Sequence, residues 1–160
     1  MNNWQKKQGF TLVELMIAIS LLGMIVASFV GIFFANIKSE QKAQNLSKIK
    51  QSGDYAVSVI RRMIRNAEDI DCSSTPNQVE VTNPDGGQTV FACDGCSNMI
   101  ASNSACLVSS TMEQSNCSFV CNTAEKPNTV QIDFTLSNGQ TDALLRAEQD
   151  FSALVSLRNY

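Results

Sequence analysis

The 160-residue sequence contains no histidine. That absence removes every site that needs an imidazole base, an imidazole metal ligand or a Ser-His or Cys-His pair. Tryptophan occurs once and proline three times, and neither interrupts Asn36 to Ile70. Charge is missing from one long stretch: Leu15 to Ala35 is 21 residues without Asp, Glu, Lys or Arg. Positive charge is scarce beyond it, since residues 71–160 hold 3 basic against 10 acidic side chains, a balance of -7. The whole chain balances 12 basic against 15 acidic residues, or -3, and its mean hydropathy is near zero at -0.05. These deficits weigh against a compact soluble enzyme and against a broad basic face for nucleic acid. They describe an acidic domain on an apolar tether.

At 1.5 Å per residue the charge-free run makes a helix roughly 31 Å long, enough to cross a bilayer's hydrocarbon core. A cleaved secretory signal would be shorter and would end in a small-x-small site. Here the run passes into Asn36-Ile-Lys-Ser-Glu40, a polar continuation of the same helix. One acid is out of place: Glu14 stands just inside the apolar boundary, where an unpaired carboxylate costs several kcal/mol. No base lies between Lys7 and Lys38 to pair with it. An amino terminus made by cleavage would supply the cation, and Gly9, which follows a short basic leader, suits such a cut.

Gly9-Phe10-Thr11-Leu12-Val13-Glu14 and the apolar run behind it resemble the processing and assembly segment of type IV pilins and type II secretion pseudopilins. The resemblance covers the first 35 residues or so. It implies cleavage after Gly9 by a prepilin peptidase, N-methylation of Phe10, and pairing of Glu14 with the amino terminus of an adjacent subunit. It also implies further partners: sibling pilin or pseudopilin subunits, an inner-membrane assembly platform and membrane lipid. Segment Tyr55 to Asp69 resembles the late helix of minor pilins and J-type pseudopilins, and its three arginines read as a solvated face or as partners of nearby acids. No cofactor and no direct nucleic-acid contact is expected.

Leu46, Ile49, Gly53, Ala56, Ile60, Met63 or Ile64, Ala67 and Ile70 recur at steps of three and four, the pattern of one buried helical face. A single helix from Phe10 to Ile70 would measure roughly 90 Å, with Gly53 as a candidate break. Gly23, Ala27, Gly31 and Ala35 form a second series of small residues that lets helices approach closely in an apolar environment.

After Asp71 the period changes to two. Val79 to Asn83, Pro84 to Gly87 and Gln88 to Ala92 read as strand, turn, strand, and Met99 to Met112 holds strand pieces. Val130, Ile132, Phe134 and Leu136 form a half-buried strand, followed by the turn pair Asn138-Gly139. Phe151, Ala153, Val155 and Leu157 mark a last strand. Asp94 to Lys126 reads as an irregular, crosslinked edge. The expected fold is α+β and pilin-like: leader 1–9, membrane and assembly half 10–35, amphipathic half 36–70, and a β-rich head 71–160 whose antiparallel sheet packs on 36–70.

Cys72, Cys93, Cys96, Cys106, Cys117 and Cys121 all follow the apolar run, which favours disulfides formed after export. Fifteen pairings are open. Cys117 and Cys121, about 13 Å apart if extended, need different partners unless the chain turns between them. Zinc held by Cys93, Cys96, Cys117 and Cys121, or a redox-active Cys93-x-x-Cys96, are the alternatives. Asp85-Gly86-Gly87 is ordinary turn chemistry rather than a calcium loop. The expected function is a non-enzymatic subunit of a type IV pilus or secretion pseudopilus, a minor component with an extracytoplasmic head. The alternative is a membrane-tethered adhesin-like or DNA-uptake module at a filament tip.

Overall fold

The structure is a computed structural model that describes residues 9–72, 77–122 and 128–158. The chain forms two units, residues 1–40 and 41–160, and α1, Leu12–Asn66, contributes to each. Described residues of the first unit lie almost entirely on α1, and all are exposed.

In the second unit α1 buries Ile49, Gly53, Ala56, Ile60 and Ile64, the 3–4 stripe that amphipathic periodicity requires. The helix ends four residues before the expected Ile70. Its last turn tightens, with Ala67 N–H donating to the Ile64 carbonyl at 3.3 Å, and Ile70 becomes the buried centre of β1, Asp69–Asp71. Leu46, expected on the buried face, is exposed. Gly53 does not break the helix.

Beyond α1 the head contains two antiparallel sheets where one was expected. β1, β2 (Gln78–Thr82), β3 (Gln88–Cys96), β4 (Met99–Ser102) and β5 (Ala105–Cys106) form a five-stranded meander in chain order. β6 (Glu113–Asn122), β7 (Thr129–Ser137) and β8 (Glu148–Ser156) form a three-stranded sheet. The Asn83 to Gly87 turn is closed by Asn83 N–H donating to the Gly87 carbonyl, by Gly86 N–H donating to the Asn83 carbonyl, and by Asp85 Oδ1, which accepts from Gly87 N–H at 2.9 Å. Asp85 thus serves its own turn. Two further hairpins use paired left-handed residues, Ser97-Asn98 and Asn103-Ser104, as two-residue turns require. Asn138-Gly139 opens a longer connection, and residues 140–147 are loop up to β8.

The segment from Asp94, expected to be irregular, contains β4, β5 and the ten-residue β6; Lys126 lies outside the described residues. β6 pairs with β7 through a bulge: Ser115 faces Thr135 and Ser118 faces Asp133, with Asn116 left-handed at the extra residue. Both sheets and α1 share one core, in which Ile60, Ile64, Val79, Val81, Phe91, Ile100, Ile132, Phe134 and Leu136 are essentially inaccessible. Each such side chain contributes about 1.5–3 kcal/mol relative to exposure.

Candidate assembly segment

Thr11 sets where α1 begins. Its Oγ1 accepts a hydrogen bond from the Glu14 N–H at 3.3 Å, and its carbonyl accepts the first helical bond from Leu15 N–H at 3.2 Å. Thr11 is therefore the N-cap and Glu14 the third helical residue, the spacing of a capping box. The sequence carries the signal for this as Thr11-x-x-Glu14. Glu14 has a local role as well, since an acid in the first turn complements the helix dipole. Among the described residues no lysine or arginine reaches its carboxylate.

Gly9 and Phe10 precede the helix and are exposed, Phe10 at 83%. The bond between them lies outside regular structure. Behind them every large apolar side chain from Leu12 to Phe34 is exposed. Two hydroxyls interrupt this surface, and both bond within the helix: Ser20 to the Ile17 carbonyl and Ser28 to the Met24 carbonyl, each at 2.9 Å. Such internal satisfaction suits a helix in lipid, where water cannot take the hydrogen. By length and composition α1 can cross a membrane. Gly23, Ala27, Gly31 and Ala35 are exposed on it at four-residue steps, and a Cβ added at Gly23 or Gly31 would meet nothing within 4 Å.

In the head all six cysteines are joined in three disulfides: Cys72–Cys121, Cys93–Cys117 and Cys96–Cys106. Cys117 and Cys121 flank the buried Phe119 at alternate positions of β6 and take different partners. These two bonds tie β6 to β3 and to the residue after β1, clasping the two sheets together. The third closes the β3 to β5 meander. Cys93 and Cys96 belong to separate disulfides, so neither the zinc set nor a CxxC redox pair describes them. Gln114 of β6 reinforces the clasp: its Oε1 accepts from Ile100 N–H at 2.7 Å and its Nε2 donates to the Cys93 carbonyl at 2.9 Å. Among the described residues no cluster of three or more metal-type ligands occurs.

A family model described as the prokaryotic N-terminal methylation motif matches residues 4–30. No curated protein and no solved structure matches the chain. The match spans 27 of 160 residues, so it characterises the N-terminal segment and leaves the head to its own structure. A prepilin-type motif, a long N-terminal helix and antiparallel sheets packed on that helix make up a pilin-like α+β architecture. Motif and architecture together are pilin-like, and among the described residues α1 is the one helix long and apolar enough to cross a membrane.

Proposed function

We propose that the chain is a filament subunit cut after Gly9 by a prepilin peptidase, N-methylated on Phe10, and assembled through α1 into a type IV pilus or secretion pseudopilus. The observation that carries the reading is the exposed apolar surface from Leu12 to Phe34, which follows directly on Gly9, Phe10 and the capped Glu14. A membrane covers that surface before assembly, and neighbouring helices cover it afterwards. The small series Gly23, Ala27, Gly31 and Ala35 offers the closest approach for those helices. Glu14 pairs with the amino group of Phe10 on a neighbouring subunit. Desolvation offsets much of that attraction, so the pair acts on register and recruitment more than on net stability. The working partners are sibling subunits and an inner-membrane platform. The basic-flanked end of α1 and the disulfide-bonded head support a low-copy component.

Glu14→Gln tests this directly. The variant is expected to keep its membrane span and its cleavage after Gly9, yet to enter sheared or crosslinked filament fractions much less than wild type. Normal incorporation beside wild-type siblings would remove Glu14 as an assembly determinant.

A further inference from the structure

Arg61, Arg62 and Arg65 of the late helix are exposed, as a solvated face requires, but they gather at one place. Ser58, Arg61, Arg62, Arg65 and Asn66 line one side of a groove of about 290 Å³, and Arg158, two residues past the end of β8, joins them from the far end of the chain. Residues 41–160 contain nine lysines and arginines against thirteen acids, and four of the nine converge here. None of Arg61, Arg62 or Arg65 makes an ion pair with a described residue. Their i, i+3 and i, i+4 spacing makes them mutually repulsive on the helix. The negative end of the helix dipole accounts for Arg65 in the last turn. It does not account for a fourth guanidinium brought in by a distant element.

We propose that this groove binds a phosphate group. Guanidinium forks match the oxygens of phosphates and carboxylates alike, but four of them around one small space suit a multiply charged group with three acceptor oxygens better than a single carboxylate. The side chain of Asn66, which makes no hydrogen bond to a described residue, adds a neutral donor. Arg158 already has a partner, and its five N–H donors leave capacity for a second. The groove holds the volume of roughly ten waters, enough for a phosphate or diphosphate group. An extended nucleic acid is a poorer fit, because residues 71–160 carry ten acids against three bases. The same phosphate chemistry could be offered by a free phosphate or by a lipid headgroup.

The full chain in neutral detergent micelles separates these sources. One arm titrates inorganic phosphate and pyrophosphate at constant ionic strength and reads ³¹P line broadening and thermal shift. The other adds phosphatidylglycerol to the micelles and reads the same thermal shift. Saturable binding is expected in at least one arm. It should weaken at least tenfold in Arg62→Gln/Arg65→Gln and in Arg158→Gln, and stay unchanged in Lys48→Gln/Lys50→Gln. The double helix variant alters only exposed side chains, so it reads the site even if Arg158→Gln disturbs the fold. No saturation in either arm, or equal binding by the arginine variants, overturns the proposal. So does binding of a single-stranded oligonucleotide that pyrophosphate fails to displace.

Discussion

Gly53 of α1 faces the ring of Phe151 of β8 so closely that a side chain at position 53 would occupy the ring's own space. Phe151 in turn stacks on Phe134 of β7, with ring centroids 5.1 Å apart and planes at 17°. The glycine is therefore a socket. It lets the second sheet lie against the helix through an aromatic pair that contributes beyond its buried area.

Gly53→Ala sets two effects in opposition. Alanine gains about 1 kcal/mol in helix propensity, whereas overpacking a core contact costs about 1–3 kcal/mol. The added Cβ would fall well within van der Waals contact of Cζ, Cε1 and Cε2 at the far end of the Phe151 ring, so the steric cost wins. A net loss of up to about 2 kcal/mol is expected in urea unfolding of the oxidised protein. Gly53→Ala/Phe151→Leu should recover part of it. Equal losses in the single and double variants would show that the socket is not the cause.

The three disulfides enclose chain segments of very different length, with sequence separations of 49, 24 and 10 for Cys72–Cys121, Cys93–Cys117 and Cys96–Cys106. Loop-closure entropy alone then ranks them at about 4, 3.5 and 2.5–3 kcal/mol. Paired Cys→Ser variants compared by chemical unfolding should follow that order, and non-reducing peptide maps of exported protein should show these three links and no free thiol. A Cys72→Ser/Cys121→Ser variant as stable as wild type would deny the clasp between the sheets.

Thr11→Val removes the side-chain cap of α1 while keeping its shape. The loss is about 1 kcal/mol at the first turn. Hydrogen exchange at the Glu14 amide should accelerate roughly fivefold, as that energy implies, with amides beyond Ile17 unaffected. Unchanged exchange would mean that the cap is not what fixes the start of the helix.

What could be read beforehand follows from where side-chain periodicity reports burial. Ile49, Gly53, Ala56, Ile60 and Ile64 are buried as their spacing indicates, and Val130, Ile132, Phe134 and Leu136 alternate as a strand should. β6 was illegible because Glu113-Gln-Ser-Asn-Cys-Ser-Phe-Val-Cys-Asn122 buries only Phe119, and its inward positions on either side are taken by disulfide cysteines rather than by Val or Ile. The split into two sheets depends on that strand and was lost with it. Ile70 misled the helix boundary because a buried residue in a three-residue strand can continue a helical stripe by chance of spacing. In the assembly segment the chemistry was legible residue by residue, whereas the Thr11 cap was visible and unread. The meeting of Arg158 with Arg61, Arg62 and Arg65 is a purely tertiary fact, separated by almost a hundred residues.

Cleavage between Gly9 and Phe10 is read most directly from the mass of the mature chain. Cleavage there removes nine residues, including Lys6 and Lys7, and changes the charge balance from 12 minus 15 to 10 minus 15, or -5. Intact mass measurement and N-terminal sequencing of protein isolated from cells with active prepilin peptidase should give a chain that begins at N-methylated Phe10. A mature protein that keeps Met1 to Gly9, with an unmodified Phe10 inside it, would contradict the assignment of this segment.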